Sequence, residues 1–483
     1  MMRPSLAMLV LPLVLAAGCA STHGLRPEGR LRDPDSLAAR SSLGQVEVSA
    51  AAWPRRDWWR SLGDPQLDAL IAEALAGNPG LEAADARSRQ ALARVGVADA
   101  DRQPTIGASA SSSGLRIPET VIEPPTGGHY SALNSLSLSF SYGFDLWGGK
   151  RAAWEAAVDE AHAAEIDAQA ARLTLSANVA RSYIELAHAF ERADIADHER
   201  ERARHSLELT RQRVDAGIDS ALQLRQAEAA VPAAEQQWLA ATAKIDDERI
   251  TLAALLGAGP DRGLAITRPQ RLAPAALQLP ATLPAELLGR RPDLVAARWR
   301  VEAADHAIAS ARAAFYPNID LSAAVGLAAL GGDGLFSAQG RYYQFAPAIS
   351  LPIFDGGRLR ANLAGSDAQY DLAVAQYNQN LVDALRDVAA RITALRSLVP
   401  QIEAARQAAR TAADAHRLAE ERYRNGIGSY LDVLVVQQQL LVAEQRVADL
   451  ETQRIDGSIA LVQALGGGFE ADAAPPADAD AHS

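Results

Sequence analysis

Cys19 is the only cysteine of the chain, and it is the one side chain whose type and placement suggest a covalent chemistry. A lone thiol makes no internal disulfide and no zinc cage, so its position carries all the information it has. The nine histidines are scattered. They form no HExxH and no pair at ligand spacing beside carboxylates, and they read as solvated groups. No glycine-rich phosphate loop, nucleophile elbow or Ser/His/Asp arrangement stands out. The sequence therefore nominates no catalytic residue, no metal site and no cofactor, and this points away from an enzyme and toward a conduit or a structural protein.

Arg3 precedes an apolar run from Leu6 to Ala17, followed by Gly18-Cys19-Ala20-Ser21. A charged start, a short apolar core and small residues at the end predict a secretory signal over residues 1–18. The run is too short to span a bilayer. Leu15-Ala16-Ala17-Gly18-Cys19 resembles a bacterial lipobox, with Ala16 where leucine is usual. The resemblance implies a diacylglyceryl group on the Cys19 thiol and an acyl chain on its amine. At about 0.8 kcal/mol per buried CH₂, several such chains anchor firmly. Because Ala20 is not aspartate, the resemblance implies the outer membrane of a Gram-negative cell. The other reading of Cys19 is a buried apolar cysteine that happens to follow a signal peptide.

The 483 residues carry 47 basic against 59 acidic side chains, a net charge of −12, which is the wrong sign for a nucleic-acid surface. Aromatic residues are 5% and the broader hydrophobic class 48%, a difference made mostly of alanine, the best helix former. With 22% charged residues the chain is neither disordered by composition nor a bundle of membrane helices.

The second half echoes the first at an offset of roughly 210 residues. Asn78-Pro79-Gly80-Leu81 corresponds to Arg291-Pro292-Asp293-Leu294, Phe144-Asp145 with Gly148-Gly149-Lys150 to Phe354-Asp355-Gly356-Gly357-Arg358, and Gly217-Ile218-Asp219-Ser220 to Gly426-Ile427-Gly428-Ser429. Each half holds two stretches of strand-like alternation. From Leu136 to Leu146 the apolar residues Leu136, Leu138, Phe140, Tyr142 and Phe144 face one way and Ser137, Ser139, Ser141 and Gly143 the other. Ile319 to Leu327 repeats the pattern, with Asp320 and Ser322 on the polar side. Thr105 to Ser113 and Phe345 to Ile353 complete the pairs. About ten residues with one apolar and one polar face is the form of a tilted outer-membrane strand, lipid outside and water inside, although a soluble sandwich has the same periodicity. Long helices are expected over about 150–217 and 358–425, with Pro400 bending or opening the second. Shorter helices are expected at about 81–103, 220–256, 294–316 and 430–465.

These residues resemble the TolC-type outer-membrane efflux proteins, and more closely their lipoprotein branch serving resistance-nodulation-division pumps. The match covers nearly the whole mature chain. It rests on Trp58-Trp59 with Asp64-Pro65-Gln66-Leu67, on Leu287-Leu288-Gly289-Arg290-Arg291-Pro292-Asp293-Leu294 followed by Ala311-Arg312-Ala313-Ala314-Phe315-Tyr316-Pro317, on Phe354-Asp355-Gly356-Gly357-Arg358, and on Ala464-Leu465-Gly466-Gly467-Gly468. The resemblance implies an α+β membrane protein and a homotrimer. Each chain would give four strands to a twelve-stranded outer-membrane β-barrel, continued by a long α-helical periplasmic barrel with a small mixed equatorial domain. It implies a passive exit duct working with a periplasmic adaptor protein and an inner-membrane resistance-nodulation-division transporter, embedded in outer-membrane lipid. The expected organisation is a signal peptide at 1–18, a lipid anchor, linker and equatorial segment at 19–77, a first repeat at 78–257, an equatorial connector at 258–290, a second repeat at 291–465 and a disordered tail at 466–483. Trp53, Trp58 and Trp59 are expected to pack the equatorial domain or to sit as membrane-proximal anchors.

Gly217 and Gly426 are expected to cap the two helical hairpins. In the family the segment matching Tyr430-Leu431-Asp432-Val433-Leu434 is normally followed by an aspartate; here Val435 stands in its place. The resemblance therefore implies a periplasmic gate at Leu431, Asp432 and Val435, more apolar than usual. Asp432 would line the aperture, pair with Arg422 or Arg424 of a neighbouring hairpin, or be solvated. Ser137, Ser139, Ser141, Asp320 and Ser322 would face the barrel lumen. On the residues alone a periplasmic adaptor or coiled-coil structural lipoprotein of the envelope stays open. What separates the two is the strand alternation, because the β-domains of an adaptor bury a core and do not set a face of serines opposite an unbroken apolar one.

Overall fold

The two halves fold to the same plan with the same element lengths. In this computed structural model each half runs through a 22-residue helix, a strand pair, a 67-residue helix and a 35-residue helix. The structure describes residues 22, 24–37, 53–116, 118–124, 127–270, 272–273, 289–331 and 334–470. The signal segment, Cys19, Leu287, Leu288 and residues 471–483 lie outside these. In chain order the helices are α1 Pro65–Gly77, α2 Pro79–Ala100, α3 Gly149–Asp215, α4 Ala221–Leu255, α5 Asp261–Leu264, α6 Pro292–Ala313, α7 Arg358–Arg424 and α8 Tyr430–Ala464. The strands are β1 Thr105–Arg116, β2 Tyr130–Phe144, β3 Asn318–Leu330 and β4 Arg341–Ser350. Among the described residues no helix is long and apolar enough to cross a membrane.

Helix starts follow local chemistry. α1, α2 and α6 each begin on a proline, at Pro65, Pro79 and Pro292, where the missing N–H costs nothing and φ is already helical. The two long helices start from a matched device. Asp145 accepts the N–H groups of Lys150 and Arg151 at 3.0 and 2.8 Å, and Asp355 accepts those of Gly357 and Leu359 at 3.0 and 2.8 Å. Each carboxylate satisfies orphan donors and meets the positive end of the helix dipole. Gly148 and Gly356 adopt positive φ of 71° and 69° to make the turn. This explains the Phe-Asp and glycine pairs repeated in the two halves.

The chain divides into two compact units. One comprises Ser88–Ala164, Ala297–Asn378 and the N-terminal residues as far as Leu31, and contains the sheet. The sheet is fully antiparallel in the order β1-β2-β3-β4, so the halves meet where β2 pairs with β3, from Leu133↔Leu330 to Phe144↔Ile319. Beside the ends of β3 and β4 a small core of Ile308, Phe315, Leu359 and Leu363 takes in Leu25. The N-terminal segment is tied to α7 there, with Glu28 and Gly29 donating to Asp371 and Asn378 donating to the Arg30 carbonyl.

The other unit comprises Arg32–Arg87, Glu165–Ala296 and Gln379–Ser483. α1 buries Leu67, Leu70, Ile71 and Ala74, one stripe at helical spacing, among Val179, Tyr183, Leu186 and Leu252. Asp64 is 4% exposed and caps α1 through Gln66 N–H, while also accepting from Tyr183 Oη at 2.7 Å and Gln270 N–H at 2.9 Å. Burial, and then the Asp64 contact, push the Tyr183 phenol up. Trp58 is buried and meets Trp59 edge to face at 5.8 Å, and Trp53 packs on the core around Leu385 and Leu465. The tryptophans are thus packing residues of this unit. Arg291 bonds Asp293 and donates to the Ala464 carbonyl at 2.9 Å, which ties the start of α6 to the end of α8. A β-carbon on Gly466 would lie 1.9 Å from the Arg290 carbonyl oxygen, and one on Gly468 2.3 Å from Arg55.

Two expectations change, the start of the tail and the solvation of the histidines. The chain is ordered past Leu465, where Gly466, Gly467 and Gly468 turn at positive φ to bury Phe469. The expected tail at 466–483 therefore begins no earlier than residue 471. Pro400 lies within α7, as expected of a proline that does not end its helix, and Pro232 lies within α4. α1 lies within the expected linker and equatorial segment at 19–77, and among the described residues all four strands belong to the one sheet. The histidines are not uniformly solvated. His188 pairs with Asp449 at 3.2 Å, and His306 lies 3.5 Å from both Glu155 and Asp159, whose carboxyl burial pushes up to about 6.

Candidate functional site

The sheet has two chemically opposite faces, and the register fixes which residue lies on which. Ser137 lies between Ser109 and Gly326, Ser139 between Gly107 and Ala324, Ser141 between Thr105 and Ser322, and Gly143 beside Asp320. The five lumen candidates Ser137, Ser139, Ser141, Asp320 and Ser322 therefore share one face. Hydroxyl pairs run across it: Ser109 with Ser137 and Ser111 with Ser135 at 2.8 Å, and Thr105 with Ser141 at 2.6 Å. The opposite face carries Leu136, Leu138, Phe140 and Tyr142, with Ile106 on one neighbour and Leu321, Val325 and Leu327 on the other, then Tyr343, Phe345 and Ile349. Ile106, Phe345 and Ile349 on the outer strands are each at least 70% exposed, and Phe140, Tyr142 and Leu321 toward the middle are half-buried among their neighbours. Trp147 stacks on Tyr316 at 4.7 Å just beyond the strands and donates to the Pro317 carbonyl. Among the described residues β1 and β4 each have one neighbour only, so both sheet edges are open there.

The second site is the pair of hairpin turns that end α3 and α7. Gly217 and Gly426 take φ of 73° and 78°, and Ile218 N–H and Ile427 N–H reach back to the carbonyls of Arg213 and Arg422. Both are left-handed helix caps, as expected. Ser220 with Gln223 and Ser429 with Asp432 then form capping boxes that start α4 and α8. Asp432 is thereby given a job the sequence did not suggest. Its carboxylate accepts Ser429 N–H at 3.0 Å, and that bond, with Arg422 nearby, holds its carboxyl below the usual range. Arg422 donates to the Ile427 carbonyl and Arg424 pairs with Glu420, so within the chain neither makes an ion pair with Asp432. Leu431 and Val435 lie one turn apart and are 61% and 49% exposed, while Tyr430 and Val433 on the other side of α8 are buried.

Behind the turns lies a polar cluster that sequence reasoning missed. Arg213, with 9% of its side chain exposed, forms a two-pronged ion pair with Asp219, 5% exposed. Arg213 Nη1 also donates to the Tyr423 carbonyl at 2.6 Å, and its guanidinium lies 4.4 Å over the Tyr423 ring. The Tyr423 hydroxyl donates to Asp219 and lies 3.0 Å from Thr210 Oγ1. Burial and the Asp219 contact push the Tyr423 phenol up to about 12. Burial would raise the Asp219 carboxyl, but the bonds from Arg213 and Tyr423 outweigh it and leave the group below its ordinary value. Farther along, Arg202 bridges Glu199 and Glu444, Gln437 bonds Glu199, and His205 meets Glu420 at 2.9 Å. The first hairpin is thus joined to the second by polar bonds. The one signal for this was the repeat itself, where Asp219 stands opposite Gly428. Among the described residues no group of three His, Cys, Asp or Glu is arranged to hold a metal.

The sequence profile of the family described as outer membrane efflux protein matches residues 70–258 and 283–467. The multidrug resistance outer membrane protein MdtP of Escherichia coli K12 is 32% identical over 466 residues, 95% of either chain. The pyoverdine export outer membrane protein OpmQ of Pseudomonas aeruginosa is 32% identical over 473 residues, 96% of this chain and 97% of that one. The crystal structure of the outer membrane protein VceC of Vibrio cholerae superimposes with a TM-score of 0.81 at 37% identity, over 86% of this chain and all of that one.

Asp219 should act as an acid-sensitive tie. Its folded-state value lies below its ordinary 3.8, so its contribution is complete above that pH and is lost as pH falls through the lower folded value. Asp219→Asn leaves Arg213 buried without its counter-charge, at a cost of about 3 to 5 kcal/mol locally. Hydrogen exchange of the backbone amides at 213–219 and 423–430 reads it: the variant should lose protection at pH 7 and show no further acid-dependent loss. Wild-type protection at pH 7 in the variant would contradict this account.

Proposed function

The chain belongs to the outer membrane efflux protein family, and from that premise we propose that it is the outer-membrane exit duct of a tripartite efflux pump. It conducts substrates passively, while an inner-membrane transporter supplies the energy and a periplasmic adaptor joins the two. The observation that carries the reading is the two-faced sheet with two open edges. An apolar face suits lipid, and the serine face behind it suits water. Unpaired edges are not tolerated in a bilayer, so the sheet has to close against other copies. Two copies would give eight strands, a size whose interior side chains fill. Three give twelve strands and leave a passage, as the family resemblance also implies. Export of multidrug or pyoverdine cargo belongs to the named relatives; for this chain the wall supports only a broad, polar passage.

Attachment of lipid at Cys19 is part of the same reading. Leu25 packs beside Phe315 and Leu359, next to the ends of β3 and β4, and Cys19 precedes Leu25 by six residues, a reach of at most about 22 Å. That distance allows the acyl chains to enter the leaflet in which the strands begin. Mass spectrometry of the mature amino terminus should find a triacylated Cys19, and an unmodified terminus elsewhere would end the claim. The barrel should still insert after Cys19→Ser, since its apolar face supplies membrane affinity of its own.

Two further measurements test the duct. Ser139→Cys should react with a small water-soluble thiol reagent in intact outer membranes while Phe140→Cys is shielded by lipid; equal labelling of the two rejects the face assignment. At the turns, the exposed Leu431 and Val435 support a constriction of apolar side chains that closes by contact and dewetting, with Asp432 spent on its helix cap. In planar bilayers the double variant Leu431→Ser, Val435→Ser should raise the small resting conductance, whereas wild-type conductance would place the constriction elsewhere.

A further inference from the structure

The polar face of the sheet is almost free of charge. At strand positions sharing the parity of Ser137 the side chains are serine, threonine, glycine, alanine, asparagine, glutamine, leucine and tyrosine, and Asp320 is the one group charged at neutral pH. Asp320 lies opposite Gly143, at the end of the face next to the start of α3. A β-carbon on Gly143 would lie 2.8 Å from Asp320 Oδ1 and 3.0 Å from Lys150 Nζ. The two charges therefore meet beside one glycine and lie less than about 6 Å apart. Both are fixed in place. Lys150 Nζ donates to the Gly143 carbonyl at 3.0 Å, and Asn318 Nδ2 donates to Asp320 Oδ2 at 2.8 Å. Lys150 is one of only two lysines in a chain whose other 45 basic residues are arginine. An ammonium is a compact point charge on a flexible stem, and it fits beside a strand where a planar guanidinium fork would need more room.

We propose that Asp320 and Lys150 form a charge-balanced collar at the helix-proximal end of the channel wall and set its charge preference. This rests on the reading of the serine face as a lumen. Asp320 alone would make the collar favour cations, and Lys150 cancels that bias. The wall then passes uncharged, zwitterionic and singly charged cargo of either sign with little discrimination, and the pair is the one place on this face where a single substitution changes that.

The test reads the local potential and is independent of any constriction at the hairpin turns. Ser322→Cys lies two residues from Asp320 on the same face, and its rates with a cationic and an anionic methanethiosulfonate are compared in intact outer membranes, with the unsubstituted chain as background. A unit charge about 6 Å away in water alters such a rate about threefold. Because the two reagents respond in opposite directions, Lys150→Gln should raise the cationic-to-anionic ratio about tenfold, Asp320→Asn should lower it about as much, and the double variant should restore it. At Ser137→Cys, opposite Gly326 and about 20 Å along the strand, all ratios should stay unchanged, because the Debye length is about 8 Å. If Lys150→Gln fails to accumulate in the membrane, Asp320→Asn carries the test, since it leaves the tie between Lys150 and Gly143 intact. An unchanged ratio in Asp320→Asn with Ser322→Cys still labelled overturns the collar and leaves the duct standing. Labelling of Val325→Cys but not of Ser322→Cys by either reagent overturns the lumen assignment and the collar with it.

Discussion

A backbone N–H or C=O in hydrocarbon has to find a partner in protein, and the rest of this structure depends on that demand. β1 and β4 leave a row of such groups unpaired along each edge of the sheet. In water this is a hazard managed with charge or proline; in a bilayer it is prohibitive. Pro347 and Pro352 near the β4 edge do not remove the difficulty, because Pro347 lies inside the register with β3 and the outer edge still carries its carbonyls. The chain gives up self-sufficiency at these edges. In the duct proposed above, closure with other copies would follow from hydrogen bonding and a wet interior from closure, because the polar face has no apolar layer in its own chain to cover it.

The same demand recurs where each strand pair hands over to a long helix. A helix start exposes four N–H groups, and here it follows a strand within a few residues. Asp145 and Asp355 absorb two donors each, and the glycines at 148 and 356 supply the left-handed turn that brings the carboxylate back over the helix end. The Phe-Asp and Gly-Gly landmarks recognisable in the sequence are therefore solutions to one local accounting problem, met twice because the chain is duplicated. The RRPD and LGGG segments are of the same kind. Arg291 satisfies the Ala464 carbonyl at the end of α8, and glycine is required at 466 and 468 because the backbones of Arg290 and Arg55 occupy the space a side chain would need.

What was legible in the sequence is what periodicity and covalent stereochemistry determine locally. The period of two from Leu136 to Leu146 assigned the faces of β2 correctly, and the register carries the same faces across all four strands. The glycine turns were legible because only a residue free of a Cβ sits easily at φ above 70°. Interactions between residues far apart in sequence were not. Arg213, Asp219 and Tyr423 are ordinary helix and turn residues until α3 and α7 bring them together across 210 positions. The burial of Phe469 was not legible, because a run of three glycines reads as a chain end when nothing shows that its positive φ values fold it back. Asp432 shows a different limit: its position suggests an aperture, while the hydrogen bond by which its carboxylate also caps its own helix was not read from the sequence.

Duplication gives two hairpins of matching length, yet the gate proposed at their turns would need them to behave differently, and the divergence between the repeats gives them different parts. At the first turn Asp219 is drawn inward to the Arg213 guanidinium, while its counterpart Gly428 packs against Arg422 and Tyr423 and would crowd them with a side chain, a β-carbon there lying 3.1 Å from the Arg422 Cβ. The first hairpin therefore owns the buried charge and the second supplies the groups that bind to it, the carbonyl and hydroxyl of Tyr423. The tie is asymmetric. Its strength lies in the first hairpin, but it holds the second, whose α8 begins at the exposed Leu431 and Val435. In the gate proposed at these turns, movement of the second hairpin would require exchanging for water both this tie and the bonds of Arg202, Gln437 and His205 farther along.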